Sequence, residues 1–204
     1  MSITAATTEL EAINIMLAAI GEAPVNKLTG TLPVDVKIAQ NLLNEQSKSV
    51  QGEGWSFNTE YDVVLTRSAN NKINLPANVL KVDVNIQDHP QIDAVQRGLK
   101  LYDRFKHTDI FDEDLKCEVQ YFLKFEELPE PARRYINIRA ARVFVDRSVT
   151  DDSLRTYTQQ DEVRARAILL DSDSNNNDTN MLIGDPSITG RFNTYTPSSA
   201  LIRD

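Results

Sequence analysis

Residues 52–61, GEGWSFNTEY, hold the chain's only tryptophan, set beside two glycines where one hydrophobic period gives way to another. Upstream, apolar residues recur at helical spacing. Downstream, Phe57, Thr59, Tyr61, Val63 and Leu65 alternate with Ser56, Asn58, Glu60 and Asp62, the pattern of a half-buried strand. Trp55 therefore reads as the first inward residue of a sheet, one step beyond the end of a helix, with Phe57 next on the same face. Gly52 and Gly54 let the backbone turn there without a Cβ clash. An indole buried at such a corner contributes about 3 kcal/mol or more, on the scale of core aromatic truncations. The stretch predicts a helical layer joined to a sheet, with Trp55 and Phe57 as the structural corner.

Working outward, Thr8 and Glu11 have capping-box spacing, and Leu10, Ile13, Leu17 and Ile20 form one helical stripe that Gly21 and Pro24 close. A second helix opens near Asp35 after Pro33, with Ile38, Leu42 and Leu43 on its apolar face, and stops at Gly52 and Gly54. Beyond the first strand, TRSANNKIN is a turn-rich connection, and Leu80, Val82, Val84 and Ile86 alternate as another strand. RGLKLYD (97–103) reads as a shorter strand, and Leu115, Cys117, Val119, Tyr121, Leu123 and Phe125 give the cleanest alternation in the chain. Four such strands with no helices between them imply an antiparallel sheet packed on one face.

Helical signals return at Pro131, with Ala132, Ile136, Ala140 and Val143 on one stripe. A break at 150–153 precedes a fourth helix carrying Leu154, Tyr157, Arg164 and Ile168. From Asp171 the polar run DSDSNNNDTN reads as a loop or linker. The last residues scatter Leu182, Ile183, Phe192, Tyr195, Leu201 and Ile202 among glycines, prolines and hydroxyl residues, which suggests an arm that orders on a partner, with a frayed terminus as the alternative reading. The expectation is an α+β fold: a four-helix body (1–54 and 128–170), an antiparallel β-sheet layer of about four strands (55–127), and a linker with an extended C-terminal arm (171–204).

Charge is unevenly spread along the 204 residues. The net charge of −8 divides into −2 over 1–50, −6 over 51–130, +3 over 131–170 and −3 over 171–204. The basic segment uses arginine only, whose planar fork suits ordered bidentate pairing with carboxylates. Its alternative reading is a solvated helix face. No apolar run approaches the roughly 20 residues of a membrane span, and MSITAATTELEA lacks the basic and apolar regions of a signal peptide, so a cytosol-like compartment is expected. The single cysteine, Cys117, sits in an alternating apolar run and reads as a buried structural thiol.

Catalytic signatures are sparse. His89 and His107 have no second histidine or cysteine at metal-ligand spacing, and seven glycines in the whole chain leave little from which to build a phosphate-cradling loop. No cofactor or metal is expected. Asp171, Asp173 and Asn175 begin like a calcium loop, but Asn176 stands where glycine is needed and Leu182 where a bidentate glutamate belongs. Asp109, Asp112, Glu113 and Asp114, with Glu126, Glu127 and Glu130, are the acids from which a carbohydrate-degrading enzyme would draw an acid and a base. Charged loops beside a strand are more simply solvated rims. An acidic chain is a poor tight binder of nucleic acid, yet weak repulsion suits a passage through which DNA must move.

Several pieces then match a known group in order: TELEAINIMLAAIGEAPVNKLTG, LLNEQSKSVQGEGWSFNTE, LPANVLKVDV, FEELPEPARRYINIRAARVF and NML. The chain resembles the tail tubular protein A family of short-tailed bacteriophages, head-to-tail adaptors or gatekeepers, from about residue 8 to about residue 183. IGEAPV, GWSFN, and ELPE followed by RRYI are its most specific pieces. The resemblance implies a non-enzymatic subunit of a dodecameric ring between the portal protein and the nozzle, tail tubular protein B, forming a conduit for DNA. It implies a place in the virion tail, with host cytoplasm as the site of assembly. It also implies portal binding by the C-terminal region, where the arm residues Leu182, Ile183, Phe192, Tyr195 and Leu201 lie. In such a ring, acidic sheet loops of one subunit would meet the Arg133, Arg134, Arg139 and Arg142 region of the next.

Overall fold

The computed structural model describes residues 7–148 and 159–176. Helix α1 (Glu9–Ala19) begins as the capping box requires, with Thr8 Oγ1 accepting from Glu11 N and the Glu11 carboxylate accepting from Thr8 N. Gly21 closes it at φ 80°. Helix α2 (Val34–Gln51) buries Val36, Ala39, Leu42, Leu43 and Val50. Ile38, expected on that face, points to solvent, because Val36 and Ala39 set the stripe about half a turn away.

Five strands follow: β1 (Thr59–Leu65), β2 (Val79–Val84), β3 (Ala94–Arg97), β4 (Lys100–Asp103) and β5 (Leu115–Tyr121). The expected layer of about four strands is thus two antiparallel sheets, a three-stranded one in the order β1-β5-β2 and the β3-β4 hairpin. RGLKLYD holds the last residue of β3, the two-residue turn with Gly98 at φ 62°, and the whole of β4, so the expected strand is one arm of a hairpin. Bulges shift the register in β1 between Glu60 and Val63 and in β2 between Val79 and Lys81. Each inserts one residue and breaks the alternation where it stands. Tyr61 therefore lies exposed within the first bulge and Val79, of opposite parity to Val82, also faces the core, whereas Val63, Leu65, Val82 and Val84 hold the expected face and Ile86 is exposed beyond the end of β2. Asp62 takes φ 56° within the first bulge.

Trp55 is also not a strand residue. It precedes a short 3-10 turn, Ser56–Asn58, and β1 begins only at Thr59. A second 3-10 turn, Phe125–Glu127, leads into α3 (Glu130–Ser148), which buries Ala132, Tyr135, Ile136, Ala140, Ala141 and Phe144. Helix α4 (Gln159–Asn176) buries Ala165 and Leu169, leaving Arg164 and Ile168 outside. The polar run from Asp171, read as loop, continues this helix to Asn176. Leu154 and Tyr157 lie outside the described residues.

The buried side chains form two clusters. One joins α1, α2, α3 and α4 and includes Trp55, Phe125 and Leu128. The other fills the space between the three-stranded sheet and the hairpin, from Leu65, Ile73, Val82, Leu101, Phe111, Leu115, Cys117 and Val119. The long alternation of 115–125 straddles both, since Leu115 to Val119 serve the sheet core while Phe125 is buried in the helical one and Leu123 packs against it. No helix among the described residues is long and apolar enough to cross a membrane.

Candidate functional site

Around Trp55 and Phe57, where a corner was expected, polar groups hold the chain together. Trp55 is 5% exposed and packs in the helical cluster, with its Nε1 donating to Val50 O at 2.7 Å. The Phe57 ring lies nearly parallel to the indole, with centroids 6.3 Å apart. The last turn of α2 places Gln51 on the buried face, where Nε2 donates to Ser47 Oγ (2.9 Å) and to Leu123 O (3.0 Å). Gln51 Oε1 accepts from Leu123 N at 2.8 Å. Asn58 completes the seam: Nδ2 donates to Gln51 O (2.9 Å) and Tyr121 O (3.0 Å), and Oδ1 accepts from Trp55 N (2.9 Å). A buried polar network satisfied this fully fixes one geometry.

The arginines of α3 form ordered pairs, largely inside the chain. Arg133 donates from Nε to Leu128 O (2.7 Å), from Nη1 to Thr7 O (3.0 Å) and from Nη2 to Glu126 O. Arg139 bridges Glu53 and Glu162 at 3.8 Å each. Arg142 meets Glu162 at 2.6 Å and Asp146 at 3.2 Å. Arg134 is exposed and has no ion-pair or hydrogen-bond partner among the described residues. Sequence reading had not singled out Arg166, which grips Glu53 with both terminal nitrogens (3.2 and 2.7 Å) and donates to Tyr135 Oη (3.2 Å). Glu53 first, and then Tyr135, hold its guanidinium above the ordinary arginine range.

The acidic loop does not gather a catalytic pair. Asp109 pairs with Lys72 (2.7 Å), Asp112 with Lys106 (2.8 Å), Asp114 with Arg67 (3.3 Å) and Glu113 with His89 (2.9 Å). Lys72, Lys106 and the Arg67 amide lower the carboxyls of Asp109, Asp112 and Asp114, respectively, below their ordinary range. A general acid needs the opposite shift. Glu127 caps Lys124 N, and Glu130 accepts from Thr7 N and Oγ1. His89 is buried, its Nε2 accepting from Lys116 N at 3.0 Å, so its proton sits on Nδ1 toward Glu113. His107 is exposed. Burial pushes the Cys117 thiol up to about 12.

Asp171, Asp173 and Asn175 lie on α4, where Asp173 accepts from Ser56 N (2.8 Å) and Oγ (2.6 Å), a tie between α4 and the corner. No three acidic, imidazole or thiol groups among the described residues converge as a metal site. The arm residues Leu182, Ile183, Phe192, Tyr195 and Leu201 fall outside the described residues.

Beside the corner, the outer face of the three-stranded sheet opens into a polar cleft of about 470 Å³, with strand positions Lys81, Asp83, Glu118 and Gln120 below and Glu53 and Asp173 at its rim. Periodicity could not find this site, nor Gln51 and Asn58, because each is a polar residue at a buried place. The available signal was Ser47 and Gln51 continuing the apolar stripe of α2.

Two joined cores, one among the helices and one between the sheets, make this an α+β subunit built around a satisfied polar seam. The family model for tail tubular proteins matches residues 10–179, and the chain belongs to that family, whose members are structural proteins of bacteriophage tails. A curated relative, tail tubular protein A of Klebsiella phage KP34, is 29% identical over 163 residues, covering 79% of this chain and 84% of the relative.

Proposed function

We propose that this chain is the head-to-tail adaptor of a short-tailed phage. Copies assemble into a ring, a dodecamer by family likeness, seated between the portal protein and the nozzle, tail tubular protein B. DNA passes through its bore without sequence-specific binding, and the net charge of −8 disfavours sticking of the polyanion. Subunits reside in the host cytoplasm until assembly and in the virion tail afterwards. In this role the helical body (1–54 and 128–170) and the sheet region (55–127) act as two faces of one wedge. The arm bearing Leu182, Ile183, Phe192, Tyr195 and Leu201 docks on the portal. The basic face of α3 meets the acidic sheet region of the next copy, with Arg134 the member not engaged within the described chain and Arg133, Arg139 and Arg142 supporting the face.

The family match over most of the chain, joined to the satisfied seam at Gln51 and Asn58, carries this reading. The seam supports it because a ring subunit must hold one shape under load. Mixing the purified protein with its portal and imaging by electron microscopy tests it. Rings stacked on the portal, lost on truncation at residue 180, are the expected result; an unaltered portal population would overturn it.

A further inference from the structure

The cleft on the outer face of the three-stranded sheet has an acidic lining, of which Glu53 is already gripped by Arg166 and Asp173 by Ser56. Glu53, Asp83, Glu118 and Asp173 place four carboxylates around it and Lys81 one ammonium, with Arg166 and Arg139 paired to Glu53. Asp83 and Glu118 stand directly opposite one another across β2 and β5, a like-charge pairing that ordinary sheet design avoids. Gln120 lines the same cleft, is only 7% exposed, and its buried Oε1 has no hydrogen-bond partner among the described residues. Its amide is held in place by Gly54, whose backbone, at φ 81°, passes so close that a Cβ there would come within 2.5 Å of Gln120 Nε2. An acceptor buried without a donor is uncommon in a folded protein and asks what supplies the donor.

We propose that this cleft receives an arginine side chain from a second copy of the chain, namely Arg134. The occupant must be a donor with positive charge, because an amide oxygen and carboxylates can only accept. The carboxylates do not converge as a metal site, whereas a guanidinium offers five donors spread over a plane and suits dispersed acceptors. The sign of the lining selects the cation, so the carboxylates can keep their interactions within the chain. Arg134 fits as the source: it is exposed, unengaged among the described residues, and carried by the one segment with a positive balance, +3 over 131–170 against −6 over 51–130. Head-to-tail insertion of this kind builds a ring when the rotation between copies closes. The inference rests on the self-assembly proposed above and names its contact.

Charge reversal tests it, with ring formation on the portal scored by electron microscopy and native mass spectrometry. Arg134→Glu and Glu118→Lys alone are each expected to lower the yield of rings about tenfold or more, and the two together to restore most of it. Both positions are on the surface of the subunit or its cleft, and matching thermal melts of the variants and the wild type establish that folding is kept. Unimpaired rings from both single variants would overturn the contact while leaving the adaptor role intact. Loss with Glu118→Lys but not with Arg134→Glu would assign the cation to another chain and overturn the choice of a second copy. Wild-type protein that forms no ring would overturn both the contact and self-assembly.

Discussion

The side-chain amide of Gln51 pairs with the backbone of Leu123 as a strand would, accepting from its N–H at 2.8 Å and donating to its carbonyl at 3.0 Å. The end of α2 is thereby written into the exit of β5. Gln51→Ala strips both partners at once and leaves backbone groups unpaired in a half-buried place, an expected loss of about 2–3 kcal/mol. In urea, the indole emission and the far-ultraviolet dichroism of this variant should no longer change together, because the two hydrophobic clusters lose their tie. Coincident transitions would show that the seam does not couple them.

Trp55 contributes through packing and through one hydrogen bond, and two substitutions separate these. Trp55→Phe keeps a ring but loses the bond to Val50 O, costing about 1 kcal/mol. Trp55→Ala also opens a cavity in the helical cluster and should cost about 3–5 kcal/mol. Chemical denaturation followed by dichroism gives both values.

Gly54→Ala meets two obstacles, a positive φ and the Gln120 amide at 2.5 Å from the new Cβ. The conformational part alone costs about 1–2 kcal/mol. Adding Gln120→Ala should recover the steric part and leave the conformational part. The double variant is therefore expected to be more stable than the sum of its singles.

Cys117 should be inert in the folded protein. Burial first, and the nearby Asp83 second, raise its thiol to about 12. Because the folded thiol ionises later than the unfolded one, its contribution to stability is complete below the ordinary thiol range and is lost as pH rises from there to about 12. Labelling by a thiol reagent at neutral pH should track global unfolding, and stability measured at rising alkaline pH should fall through that window.

Arg166 links α4 to the end of α2 through Glu53, yet both partners are substantially solvent-exposed. Arg166→Gln should cost no more than about 1 kcal/mol, and added salt should shrink the difference. Its clearer signature is local: amides of α4 should exchange faster while those of β5 do not change.

Where structure follows from neighbours in the chain, the sequence was readable. The capping box at Thr8 and Glu11 is complete within four residues, and the α+β division followed from a change of period at Trp55. The strand starts were harder, because the extra residue at each bulge breaks the alternation without a compositional trace, although Val63, Leu65, Val82 and Val84 beyond the bulges keep the expected face. The helix over Asp171–Asn176 was hidden for a different reason: Asp173 is anchored by hydrogen bonds to Ser56, a partner far away in the chain. The same holds for the candidate site. Arginine composition announced ordered ion pairs, while the identities of Glu53 and Glu162 as partners, and the burial of Gln51, Asn58 and Gln120, emerge only once distant segments meet.

The separate closure of the two cores has an evolutionary consequence. A substitution that reshapes the hairpin end need not be answered by repacking among the helices, since the buried apolar side chains of the described residues fall into two separate clusters. Such a subunit can vary one core while the other keeps its shape, a modularity built into a single folded unit.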